Sequence, residues 1–103
     1  MEAAFPEDCK QINFIETGAD GQRCPPHHHD ELTETFVCLK GFIALTVDGI
    51  RHELRPTDEL TVKPGQVHQL ETVPKTEYLE LRNSVYDIEA AEKPRRLTCR
   101  ISA

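Results

Sequence analysis

The chain has no stretch apolar enough for long enough to cross a bilayer as a helix. Helical periodicity is almost absent as well, so a helical bundle is excluded. Basic residues are also in short supply. Twelve Lys and Arg stand against 18 Asp and Glu, a formal charge of −6. That balance cannot supply the basic face a phosphate backbone demands, so nucleic acid is not an expected partner. Lys93-Pro94-Arg95-Arg96 is the one basic cluster and reads as a solvated tail. The first residues, Met1 to Asp8, are acidic and carry no basic segment followed by an apolar run. They do not read as a secretory signal, and a cytoplasmic location without a membrane is the expectation. Cys9, Cys24, Cys38 and Cys99 include no CxxC pair, which favours reduced thiols over two disulfides.

No repeat, low-complexity tract or linker interrupts the 103 residues. The expectation is one domain over 1–103, with a core over about 10–82 and a C-terminal tail over 83–103. What the chain does have is short β-prone runs separated by turn signals about every ten residues. Strands are expected at Lys10–Glu16, Thr33–Lys40, Phe42–Val47, Ile50–Leu54, Glu59–Val62, His68–Thr72 and Thr76–Arg82. A corner is expected at Cys24-Pro25-Pro26, and Asp48-Gly49 fits a tight hairpin. Asp87 to Glu92 fits one helical turn, and Leu97–Ile101 a last strand or a loose tail. So many short antiparallel strands must close on themselves to protect their edges. The expected fold class is therefore all-β, a small barrel or double-sheet jelly roll. Phe36 to Leu39 and Phe42 to Leu45 are apolar on both faces, which points to a homodimer.

Against this background the histidines stand out. In an extended chain, residues i and i+2 share a face, so His27 and His29 can converge while His28 points away. Glu34 opens the next strand, and His68 begins a later one after Pro64-Gly65. Three imidazoles and a carboxylate on one cavity suit a divalent transition metal such as Fe, Mn, Ni, Zn or Cu rather than Ca or Mg. Four protein ligands leave an octahedral ion two open positions, an arrangement for catalysis on a small-molecule substrate. Glu31 lies in the turn, and His52 sits on Ile50–Leu54 away from the other histidines. Cys24 lies near the expected barrel mouth, and Cys38 shares a face with Glu34 and Phe36; both read first as small buried hydrophobes. Phe36, Phe42, Leu45, Leu60 and Tyr78 read as core and cavity lining.

The spacing also carries a resemblance. Gly21, five residues, His27-x-His29, four residues, Glu34, six residues and Gly41 resemble the first motif of the cupin superfamily at every position. Gly65-Gln66-Val67-His68 resembles the second motif in its glycine-to-histidine spacing. There the proline comes one place late, at Pro64 after Lys63. Thr57 stands where a leading glycine is usual, and Thr72 where asparagine is common. The resemblance runs from Gly21 to about Thr72, and the short gap between its motifs is like that of small single-domain microbial cupins.

The resemblance implies a cupin-type barrel whose metal is held by His27, His29, Glu34 and His68. It also implies chemistry of the dioxygenase, isomerase or decarboxylase kind, as in quercetin dioxygenases and oxalate decarboxylases, with Glu34 as a possible base. A non-catalytic binding or sensing module is the second reading. A third is a metal-free sugar-nucleotide ketoisomerase with His27 and His29 as proton carriers. Phe36 to Gly41, Val47-Asp48-Gly49 and Asn83 to Asp87 are similar to that family.

Overall fold

The computed structural model describes residues 9–84 and the backbone of 99–102. Nine strands are present among the described residues: β1 Gln11–Thr17, β2 Gln22–His27, β3 Glu34–Lys40, β4 Ile43–Val47, β5 Ile50–Leu54, β6 Glu59–Val62, β7 His68–Thr72, β8 Glu77–Arg82 and β9 Cys99–Ser102. They form two antiparallel sheets, ordered β6-β3-β8-β1-β9 and β2-β7-β4-β5. The fold is the expected all-β jelly roll. The expected helical turn at Asp87 to Glu92 and the basic cluster at Lys93 to Arg96 lie outside the described residues.

Apolar alternation drives the two sheets together. Ile15, Phe36, Cys38 and Tyr78 of the larger sheet meet Ile43, Leu45, Val47 and Leu70 of the smaller one in a single buried cluster. Ile43 and Leu45 are fully shielded from solvent, and burial of each such side chain stabilises the fold by roughly 1.5–3 kcal/mol. Leu60 packs against this core from its edge. Phe42 departs from expectation: it is only half buried and lies outside the cluster, with the Arg55 guanidinium 5.3 Å over its ring. The outer face of the larger sheet leaves Ile12 and Leu39 exposed.

Two glycines that bracket the histidine segment are required by packing. Gly21 has φ +75°, and a Cβ there would lie 2.6 Å from the Thr72 carbonyl oxygen. Gly41 has φ +92°, and its Cβ would overlap the buried Thr76 hydroxyl. Both positions hold the ends of β1–β2 and β3–β4 against the loop that precedes β8.

Cys24-Pro25-Pro26 is not the corner the sequence suggested. β2 runs through it to His27, with a bulge between Cys24 and His27. Prolines are tolerated there because β2 is an edge strand, and the ladder does not need their missing N–H groups. Cys9, Cys24 and Cys38 are free thiols. Burial pushes the Cys38 thiol pKa up, as suits an inert core residue.

Thr57 shows what its departure from glycine entails. It has φ +80°, a conformation strained for a β-branched residue. The turn is held in place by a Thr57 N–H bond to the Cys38 carbonyl at 2.8 Å. Thr57→Gly should therefore stabilise the protein by about 1 kcal/mol. The urea midpoint is the measurement, and an unchanged or lowered midpoint would show that the turn carries no such strain.

Candidate metal centre

β2 ends at His27, after a bulge between Cys24 and His27. His27 and His29 come together with ring centroids 5.0 Å apart, as the sequence suggested, although His29 lies just beyond the strand. His28 points away, exposed, with Nε2 3.5 Å from Asp30. The carbonyl of His29 accepts a hydrogen bond from the Gly65 N–H at 2.8 Å. That bond ties the histidine segment to the turn that delivers His68. The same turn is fastened to the β4–β5 hairpin, where the Asp48 carboxylate accepts from the Val67 N–H at 3.0 Å.

The three histidines meet. Their ligating atoms all lie within 4.8 Å of one another, and the His27 and His68 ring centroids are 4.3 Å apart. His68 is buried, whereas His27 and His29 are half exposed, so the cluster opens to solvent on their side. Backbone carbonyls fix two of the tautomers. His27 Nδ1 lies 2.8 Å from the Pro25 oxygen, and His68 Nδ1 lies 3.0 Å from the Gln66 oxygen. A carbonyl carries no proton, so each Nδ1 must hold the hydrogen, and in the neutral ring Nε2 is left with its lone pair.

Glu34 stands beside this trio, at the start of β3. Its Oε1 is 3.3 Å from His68 Nε2 and 3.6 Å from His29 Nε2. Both Glu34 Oε1 and His68 Nε2 are buried and make no well-directed hydrogen bond. A lone pair and a carboxylate oxygen thus face each other across a gap that a shared proton or a metal cation would satisfy. This is the arrangement a divalent ion fits, and the donor set of imidazole nitrogen and carboxylate oxygen suits a transition metal.

The titration of the cluster follows from the same contacts. Burial works against charge on His68, but its contacts with Glu34, the Gln66 carbonyl and Glu80 prevail and raise its pKa. Glu34 is pushed up by burial, yet His68, Arg82 and His29 bring its pKa below the ordinary value. His29 is lowered, by burial first and then by the neighbouring positive groups against the pull of Glu34.

Sequence reasoning missed three polar residues behind Glu34. Arg82 pairs with Glu34 in register across β3 and β8, and its Nη1 donates to Glu34 Oε2 at 2.6 Å. The same Nη1 lies 3.4 Å from Glu80 Oε1, which also accepts from Asn13 Nδ2 at 3.1 Å. Of the rivals, Glu31 is exposed and His52 lies on β5 opposite Leu45, outside the cluster. Cys24 is half buried against the core and accepts from Gln22 Nε2 at 3.2 Å.

A two-sheet jelly roll carrying three clustered histidines that could hold a metal ion, with a carboxylate beside them, defines a class of small β-barrel. Residues 14–82 match the family model of the cupin domain, and the chain belongs to that family. Over 51 residues, half of the chain, it is 41% identical to quercetin 2,3-dioxygenase of Bacillus subtilis (strain 168). It spans only 15% of that relative's length. Among solved structures it is similar to KdgF from Halomonas sp., with a TM-score of 0.66 and 17% identity over 82% of this chain and 76% of that one. It is also similar to a TDP-quinovose 3,4-ketoisomerase from Campylobacter jejuni, with a TM-score of 0.67 and 18% identity over 77% of this chain and 65% of that one. At these identities the structural likeness is one of fold.

Proposed function

We propose that this cupin is a metal-dependent enzyme acting on a small organic substrate, in a reaction of the dioxygenase, isomerase or decarboxylase kind. The observation that carries the reading is the buried, unsatisfied pair of His68 Nε2 and Glu34 Oε1, with His27 and His29 beside it. His27, His29 and His68 would hold the ion, and Glu34 would complete the set. A divalent transition metal bound there supplies Lewis acidity toward an enolate, hydroxyl or carboxylate oxygen of the substrate.

The protein's own groups do the rest. The half-exposed His27 and His29 side admits the substrate. Glu34, on dissociating from the ion, can act as the base through Oε1. Glu80, whose pKa is pushed up to about 7 by burial and by the charge of Glu34, populates both protonated and ionised forms near neutrality beside Arg82.

The test is metal analysis of untagged protein as purified and after reconstitution with Fe, Mn, Ni, Zn or Cu. About one ion per chain is expected for at least one metal. Sub-stoichiometric metal in every preparation would overturn the reading. Turnover is assayed on diketones, flavonols and thiols. Binding without turnover would favour a sensing module. Activity on a nucleotide-linked keto-sugar that survives EDTA and Glu34→Gln would favour the metal-free isomerase.

A further inference from the structure

We infer that Arg82 is a positioning residue of this centre, gripping Glu34 Oε2 so that the carboxylate offers only Oε1 to a bound ion. The inference rests on the metal-centre reading above and concerns a residue outside the ligand set.

Register comes first. Glu34 and Arg82 are directly paired on adjacent central strands of the larger sheet, so their side chains rise from the same face. Both are buried, at 3% and 6% exposure. Their 2.6 Å contact is therefore a charge-assisted bond little screened by water. Breaking it would strand a buried charge, which holds the carboxylate in place.

The guanidinium is itself anchored. Glu80 Oε1 lies 3.4 Å from the same Nη1 and is held by Asn13 Nδ2. With Glu34 and Glu80 against the same Nη1, Arg82 is held from following Glu34 if that side chain turns. Glu34 consequently meets the histidines edge-on, with Oε1 3.3 Å from His68 Nε2 and 3.6 Å from His29 Nε2. Binding through both oxygens would require it to leave Arg82.

The arrangement sets two effects of Arg82 in opposition, and that makes the inference testable. As a positive charge near the centre, Arg82 repels a cation, so its removal should tighten metal binding whatever stands at position 34. As a positioning residue it orients Glu34, so its removal should loosen binding only when residue 34 is a carboxylate.

The experiment is a double-mutant cycle on the full chain with Arg82→Met and Glu34→Gln, titrated with Co²⁺ alone. With Glu34 in place, Arg82→Met is expected to weaken Co²⁺ binding about tenfold. In the Glu34→Gln background it should leave binding unchanged or tighter. The visible absorption bands of bound cobalt should change with Arg82→Met in the first background and not in the second. Unchanged or tighter binding by the single variant, or equal weakening in both backgrounds, would overturn the inference while leaving the metal reading intact. Failure of the wild-type protein to bind Co²⁺ would overturn both. If Arg82→Met does not fold, Arg82→Lys takes its place in the cycle. Lysine keeps the charge but lacks the planar fork, and the same dependence on residue 34 is expected of it.

Discussion

Alanine in place of His68 is expected to leave a folded protein whose affinity for a divalent ion is reduced more than about a hundredfold. Among the three histidines, His68 is the buried one, with 3% exposure. Its ring is locked by the Gln66 carbonyl so that Nε2 points at Glu34 Oε1. Removing it deletes a ligand and also frees the counterpart carboxylate from the only imidazole held rigidly against it. The substitution also costs metal-free stability, through the cavity left by a buried ring and the lost Nδ1–H bond to Gln66, so folding is checked in the same samples. His28→Ala is the control. That ring is exposed beside Asp30, and its loss should leave metal affinity within about twofold, as for other exposed sites away from special contacts. Competition against a chromogenic chelator measures both variants. Wild-type affinity in His68→Ala, or an equal loss in His28→Ala, would remove the site from where the geometry puts it.

Much of this fold was legible because turn chemistry and alternation agree. β5, β6 and β7 begin and end where Asp48-Gly49, Pro56-Thr57-Asp58 and Pro64-Gly65 punctuate the sequence. β2 was not legible, because two prolines in succession read as a break unless the strand is known to be an edge. That knowledge lies in the sheet order and not in the local sequence. The histidines and Glu34 were legible as a set through their spacing.

Arg82, Glu80 and Asn13 were hidden by parity. In Tyr78-Leu79-Glu80-Leu81-Arg82, a period of two puts either the leucines or the charges inward. Tyr78, read as core, argues for the charges, whereas burial of apolar surface argues for the leucines. The structure turns Tyr78, Glu80 and Arg82 toward the barrel interior, opposite Cys38, Phe36 and Glu34. Leu81 is nonetheless buried, on the other face. Because both faces of this strand are covered, hydrophobicity alone could not choose between them. The choice falls to Arg82, which meets the buried carboxylate of Glu34 across the β3–β8 ladder on the inner face.

Glu80→Gln should flatten the pH dependence of the metal-free protein and stabilise it at pH 8 by about 1–3 kcal/mol. Glu80 is a carboxyl whose pKa rises in the fold from an ordinary 4.5 to about 7, through burial first and the charge of Glu34 second, against the opposing pull of Arg82 and Asn13. A raised carboxyl means that the native state holds its proton more tightly than the unfolded chain does. Stability from this group is therefore greatest at low pH, declines as pH rises from 4.5 toward 7, and is fully lost above that. At about 1.4 kcal/mol per pH unit, the window amounts to roughly 3 kcal/mol.

The other shifted groups do not imitate this difference. Glu34 is lowered, so its contribution is lost only as pH falls below the ordinary carboxylate range. His68 is raised and shares the sign of Glu80, while His29 is lowered and has the opposite sign. Both histidines are present in either protein, so the difference between the two curves isolates position 80, apart from the lift that Glu80 gives His68 and the lowering it gives Glu34. Glutamine can still accept from Asn13 and no longer has to ionise. Urea denaturation of EDTA-treated wild type and Glu80→Gln at pH 5, 6, 7 and 8 is the measurement. Parallel curves, or a less stable variant at pH 8, would show that ionised Glu80 carries no penalty and is already compensated by Arg82.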